Sequence, residues 1–207
     1  MCRVPCVDEE SASRSEALLA LPATFTYSEA RRSGLSERQL YRLRDDGVID
    51  VVSRGLYRRV DAEIHADLDL LIVAQRAPLA TLCLTSALAR HGLTDEIPAT
   101  IDVALPRGTY RPAVSAPVTW HVFDARTFEI GRVVLQLDGQ TSIGIYDPQR
   151  SIIDAARLRS REGSELVYGA LRRWLRQRGS SPSELLTVAR EFPQAERVLR
   201  EALEILL

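Results

Sequence analysis

An α+β fold in two parts is predicted for this chain, and three observations predict it. Between Phe25 and Val60 the residues read as helix, tight turn, helix and short β-hairpin. From Thr100 to Tyr146 the pattern takes the period of two that marks strands. After Asp147 the spacing is that of helices again, to the end of the chain. Residues 1–62 therefore read as a winged helix-turn-helix domain, and residues 63–207 as an α+β domain with a mostly antiparallel sheet and a helical tail.

In the first part, residues 1–14 are expected to be disordered. Ser15 to Leu21 forms the first helix, with Leu18 and Leu21 inward, and Pro22 ends it. Thr26 precedes Glu29 by three residues, as Ser36 precedes Gln39. Each pair is a capping box: the hydroxyl satisfies an orphan N–H and the longer side chain reaches back to the cap residue. Gly34 lies between the boxes, where the first helix must stop and a left-handed residue is easiest to accommodate. Leu35 and Leu40 flank the second box at the spacing of a hydrophobic staple. Val48 to Val52 and Leu56 to Val60 then alternate as strands around Ser53-Arg54-Gly55, with Gly55 supplying a positive φ.

The second of these helices is two-faced. Leu40 and Leu43 fall on the core side, whereas Arg38, Tyr41, Arg42 and Asp45 lie opposite, with Ser36 and Gln39 near the N-terminus. In helix-turn-helix proteins the second helix enters the major groove and its N-terminal residues reach base edges. Arg38 and Arg42 suit guanine and Gln39 suits adenine, because both geometries are bidentate. Tyr41 is placed to pack on a sugar or a thymine methyl, and Arg54, Arg58 and Arg59 sit on the wing, in reach of phosphates. Basic residues outnumber acidic ones from Arg31 to Arg59, so the overall charge of -1 hides a basic patch. Glu37, Asp45, Asp46 and Asp50 temper it, and binding should be salt-sensitive. A winged helix that serves only for dimerisation or protein docking is the alternative, its arginines merely solvated.

Composition narrows the functional classes. A hydrophobic content of 45% with 27% charged residues is that of a soluble globular protein, and no apolar run reaches the length of a membrane span. The opening MCRVPCVDEESASRSE lacks the apolar core of a secretory signal, so a cytoplasmic location is expected. Cys2, Cys6 and Cys83 offer no disulfide framework and no zinc-ligand spacing; Cys83 reads as a small core residue within an apolar helix. All 27 basic residues are arginine. Without lysine the chain has no P-loop, Schiff-base, ordinary protein-kinase or Glu-x-Lys nuclease site.

The second part begins with helices over His65 to Arg76 and Thr81 to His91, the latter closed by Gly92. Strands follow at Thr100–Leu105, Val118–Phe123, Val133–Leu137 and Ser142–Tyr146, with Gly131 and Asp138-Gly139 as punctuation. Asp147 caps the next helix and Pro148 takes its first position; Ile152, Ile153 and Ala156 face inward. Helices over Ser164–Arg178, Ser183–Glu191 and Gln194–Leu206 complete the tail. The histidines (His65, His91, His121) are too few and scattered for a metal site, and His91 reads as a helix C-terminal residue. Trp120 reads as core, and Asp67-x-Asp69 as a solvated helix face. Asp102, Asp138, Asp147 and Asp154 lie at or near strand ends and gather round Mg²⁺ only if the topology unites them; the other reading makes Asp138 a turn residue, Asp147 a cap and Asp154 the partner of a nearby arginine. Arg107, Arg111 and Arg126 form a second basic surface or serve solubility. No catalytic residue, metal site or cofactor site is recognisable.

The block Thr24–Val60, ending in Arg54-Gly55-Leu56-Tyr57, resembles the N-terminal winged helix of AbiEi-type antitoxins. Thr85-Ser86-Ala87-Leu88 with His91-Gly92-Leu93 and Ile97-Pro98 resembles the start of their C-terminal domain, and Asp147-Pro148-Gln149-Arg150-Ser151-Ile152-Ile153-Asp154 the segment before their helical tail. The resemblance covers about residues 20 to 180. It implies an antitoxin encoded beside a nucleotidyltransferase toxin, whose N-terminal domain binds inverted repeats in the shared promoter and represses it, and whose C-terminal domain counters the toxin, directly or indirectly. On that likeness Ser36, Arg38, Gln39, Tyr41, Arg42 and the wing arginines carry the DNA contacts. The family's usual patch bears lysine; here it is all arginine. A second reading makes the C-terminal domain an enzyme that inactivates the toxin covalently, by Mg²⁺-dependent phosphoryl transfer that leans on arginine.

Overall fold

The computed structural model describes residues 15–62, 67–138 and 141–207. Cys2, Cys6, His65, Gly139 and the disorder expected for residues 1–14 lie outside them. The chain divides into two compact units between Leu68 and Asp69.

In the first unit, α1 (described over residues 15–19) precedes β1 (Thr24–Thr26), α2 (Tyr27–Arg32), α3 (Glu37–Asp45), β2 (Ile49–Ser53) and β3 (Leu56–Arg59). Both capping boxes form. Thr26 Oγ1 accepts from the Glu29 N–H at 3.1 Å while Glu29 Oε2 accepts from the Thr26 N–H at 2.6 Å. In α3, Ser36 Oγ accepts from the Gln39 N–H at 3.2 Å and Gln39 Oε1 from the Ser36 N–H at 2.8 Å. Arg31 closes the intervening turn by donating from Nη1 to the Leu35 carbonyl at 2.9 Å, and Gly34 takes φ 96° there. Leu18, Leu21, Phe25, Ala30, Leu35, Leu40, Leu43 and Ile49 make the core.

The strand order is β1-β3-β2, all antiparallel. Strand β1 is absent from the sequence expectation, because three residues are too few to display a period. It anchors the wing to the core: Phe25 pairs with Tyr57 and stacks on it with ring centroids 5.8 Å apart. The wing strands sit a residue from their expected bounds, with a bulge between Val51 and Ser53 and Gly55 at φ 79° in the turn.

The second unit holds α4 (Leu68–Arg76, from its second residue on), β4 (Thr81–Leu82), α5 (Leu84–Arg90), β5 (Ile101–Pro106), β6 (Val118–Phe123), β7 (Arg132–Gln136) and β8 (Ser142–Tyr146). The helices α6 (Pro148–Arg157), α7 (Arg159–Glu162), α8 (Ser164–Leu175), α9 (Pro182–Ala189) and α10 (Pro193–Leu206) follow. Its sheet has five strands in the order β6-β5-β4-β8-β7. The expectation of a mostly antiparallel, four-stranded sheet is corrected on two counts. Thr81–Leu82, expected to open a helix, form the central strand, antiparallel to β5 and parallel to β8. Strands β5 and β6 are also parallel, so the sheet is mixed. The 107–117 crossover is long enough to return the chain to the same end of the sheet, which a hairpin turn is not. Cys83 consequently stands at the N-cap of α5, buried, rather than inside a helix.

Helix α6 is the hub of the helical layer. Asp147 Oδ1 caps it by accepting from the Arg150 N–H at 2.7 Å, with Pro148 at the first position. Ile152, Ile153 and Ala156 pack with Leu88, Leu166, Trp174 and Leu199 in one apolar cluster. The same helix carries a fully buried ion pair, Arg150 Nε to Asp154 Oδ2 at 3.0 Å. Arg150 Nη1 also donates to the carbonyls of Thr127 and Ile130, each at 2.6 Å, and its guanidinium lies 4.2 Å from the Tyr146 ring centroid and 4.5 Å from that of Phe192. Burial pushes the Asp154 carboxyl upward, and the guanidinium groups of Arg150 and Arg157 pull it back.

Candidate nucleic-acid interface

The face of α3 that turns away from Leu40 and Leu43 is where the candidate residues stand. Arg38, Arg42 and Tyr41 are exposed, Tyr41 to 48%. With Tyr27, Arg31, Ser36, Glu37 and Asp45 they line an open cleft of about 660 Å³ between α2 and α3. Arg31, which the sequence reading passed over, belongs to this cleft; its position one turn ahead of the Gly34 break was the available signal.

The candidates divide by what their side chains already do. Arg38, Arg42 and Arg54 make no side-chain hydrogen bond or ion pair with any described residue, and all three are exposed. Arg58 donates from Nη2 to Asp50 Oδ2 at 2.9 Å, across the wing. Arg59 contacts Asp61 at 3.2 Å, and Nη1 reaches the Leu21 carbonyl at 3.5 Å. Both are half-buried and pin the wing to its surroundings. Ser36 and Gln39 are bound to each other: Gln39 Oε1 accepts from both the N–H and the Oγ of Ser36, each at 2.8 Å. Bidentate adenine recognition needs that oxygen as an acceptor beside the amide NH₂. The capping box and adenine readout therefore compete for one atom, and here the cap holds it. Tyr41 donates its hydroxyl to Glu37 Oε1 at 3.1 Å and lies under the Arg44 guanidinium, 5.1 Å from the ring centroid. The Glu37 hydrogen bond, followed by its charge, pushes the Tyr41 hydroxyl above its ordinary pKa.

The strand-end carboxylates do not come together. Asp102 Oδ1 meets His121 Nε2 at 2.9 Å, Asp138 Oδ1 accepts from the Thr141 N–H at 2.6 Å, Asp147 caps α6, and Asp154 lies buried between Arg150 and Arg157. Among the described residues no group of three or more His, Cys, Asp or Glu side chains is arranged to hold a metal ion. His91 does more than end a helix: its Nε2 lies 2.8 Å from the Tyr146 carbonyl and ties α5 to the end of β8. Trp120 packs at the edge of the sheet core, and Asp69 is exposed on the first turn of α4. Arg107, Arg111 and Arg126 are all exposed; Arg126 chelates Asp124, holding that carboxyl at a pKa of about 2. No helix among the described residues is long and apolar enough to cross a membrane.

Residues 17–60 match the family model described as transcriptional regulator, AbiEi antitoxin, which covers the whole of this site. No curated protein matches the chain. A similar solved structure is that of the RV2827C protein from Mycobacterium tuberculosis, 16% identical, with a TM-score of 0.64 over 97% of this chain and 78% of that one. At that identity the likeness is one of fold.

Proposed function

We propose, from the match of residues 17–60 to the AbiEi antitoxin regulator model, that this chain is the antitoxin of a toxin–antitoxin pair, and that it binds inverted repeats in its own promoter and represses its operon. The winged helix-turn-helix domain reads double-stranded DNA. The α+β domain counters a cognate nucleotidyltransferase toxin, directly or indirectly, in the cytoplasm. Arg38 and Arg42 reach base edges; Arg54 reaches phosphate from the tip of the wing; Tyr41 packs on the sugar edge. Ser36 and Gln39 act by fixing the helix end, and Arg58 and Arg59 by fixing the wing.

One observation carries this reading. A helix rooted in the core by Leu40 and Leu43 presents two uncommitted guanidinium groups, one turn apart, at the mouth of an open cleft. A docking helix has no need of unpaired cations there. The test is electrophoretic retardation of a duplex carrying the promoter upstream of the gene, at low salt. The wild-type chain should retard it, and Arg38→Ala with Arg42→Ala should weaken binding by about 1–3 kcal/mol per lost contact. No retardation by the wild type, or an unchanged affinity in the double variant, overturns the reading. The covalent-inactivation alternative has no support from the site: each carboxylate that it would recruit is engaged elsewhere.

A further inference from the structure

A second basic cleft lies within the α+β unit, far along the chain from the winged helix. It has a volume of about 480 Å³ and is lined by Arg157, Arg159, Ser160, Ser164, Gln194 and Arg197, with Pro193 and Val198 as its apolar wall. Three arginines line it, and the carboxylates beside them offset their charge only in part. Arg157 shares Asp154 with the buried Arg150, so two cations face one carboxylate; its one hydrogen bond runs from Nη2 to Asp154 Oδ1 at 2.8 Å, and its Nε is buried with no partner. Arg159 is exposed and makes no side-chain hydrogen bond or ion pair with a described residue. Arg197 is offset only by Glu201, at 3.0 Å on the solvent side, where both side chains are mostly exposed.

Two long helices also begin at this cleft. Helix α8 starts at Ser164 and α10 at Pro193, and neither has a side-chain cap. By contrast, α3, α6 and α9 are each capped by the side chain of a Ser or Asp at the N-cap. At α10 the Pro193 position has no N–H and the Ala195 and Glu196 N–H groups donate to the Phe192 carbonyl, so it is the uncapped start of α8, beside the guanidinium groups, that suits an anion by charge and donor geometry. Another cleft of this unit shows the contrast: Asp95, Glu96 and Glu165 line it, and its single arginine, Arg173, is clamped onto Asp95 by both Nη atoms.

We infer that this cleft binds a small phosphorylated molecule, with the phosphate between Arg157, Arg159 and Arg197 at the start of α8 and the organic part against Pro193 and Val198. The volume exceeds that of a phosphate ion and is closed off from neither apolar nor polar groups. The site stands apart from the DNA reading, since its residues all belong to the second unit.

The probe is inorganic pyrophosphate, added to the full chain at matched ionic strength with chloride as the control, and read by calorimetry and by the thermal midpoint. Saturable binding and a rise in midpoint are expected. Arg159→Ala with Arg197→Ala should weaken binding about tenfold or more, because both side chains are exposed and charge-assisted contacts to phosphate are strong. Ser164→Asp separates ligand binding from folding. A carboxylate on the first turn of α8 favours the helix, so the midpoint without ligand should hold or rise, while the response to pyrophosphate disappears. No saturable binding by the wild type, or equal affinity in the double-arginine variant, overturns the proposal. So does a double variant that loses affinity for duplex DNA at constant salt yet keeps pyrophosphate, which would assign the arginines to nucleic acid.

Discussion

Arg150 is fully buried, and its charge is met on three sides: by Asp154, by two carbonyls and by the rings of Tyr146 and Phe192. Desolvating such a group costs several kcal/mol, which only this degree of pairing offsets. Arg150→Leu preserves bulk but leaves Asp154 buried with Arg157 alone and orphans the carbonyls of Thr127 and Ile130. It should lower the stability of the second unit by about 3–5 kcal/mol, read as the midpoint of urea unfolding. A loss under 1 kcal/mol would mean that the pocket rehydrates or repacks around the apolar side chain (about one-third of the smallest expected effect). Sequence reading reached part of this knot. It offered Asp154 as a partner for an arginine, but the Thr127 and Ile130 carbonyls and the Phe192 ring come from segments twenty or more residues away and leave no local trace.

At the scale of the element, the first unit was legible because its signals are short-range. A capping box spans four residues, and both boxes form with the expected partners. Ser36→Ala removes the hydroxyl that caps α3 and should cost about 1 kcal/mol of stability. It also releases Gln39 from its partner Oγ, so thermal unfolding should shift down while Gln39 gains freedom to reach outward. Strands β1 and β4 were not legible, being three and two residues long. Their identity comes from what they pair with: Thr24–Thr26 from the register with Arg58–Leu56, Thr81–Leu82 from strands twenty and sixty residues distant. For β4 the helical propensity of the following Leu84–Arg90 segment masked the boundary, since apolar residues fill both elements. The parallel pairings were missed for a related reason, because strand direction depends on connections rather than on the strand's own residues.

Across the whole molecule, charge is distributed rather than accumulated. The formal total is -1, yet Arg38, Arg42 and Arg54 stand uncommitted on the first unit and Arg159 on the second. Association with DNA should therefore depend on a local patch and be steeply sensitive to salt. Each phosphate contact contributes about -0.9 to the slope of log affinity against log salt. Replacing Arg54 with alanine should reduce the magnitude of that slope by about one and weaken binding to all duplexes alike, whereas the Arg38 and Arg42 variants should also relax preference between sequences. Titration of binding at several salt concentrations separates the two behaviours. Which arginines are uncommitted could not be seen in the sequence. Arg58 and Arg59 looked equivalent to Arg54 until their pairing with Asp50 and Asp61 was visible.

The reciprocal lock between Ser36 and Gln39 has a consequence for the operator itself. With the amide oxygen turned inward, the reading head of α3 is left with forked cations four positions apart, about 6 Å along one side of the rod, or roughly two base steps. Such a head favours G·C pairs and has little means of distinguishing A from T. Duplexes selected from a random pool by this chain should be enriched in guanines at close spacing in each half-site, with no matching enrichment of adenine beside them.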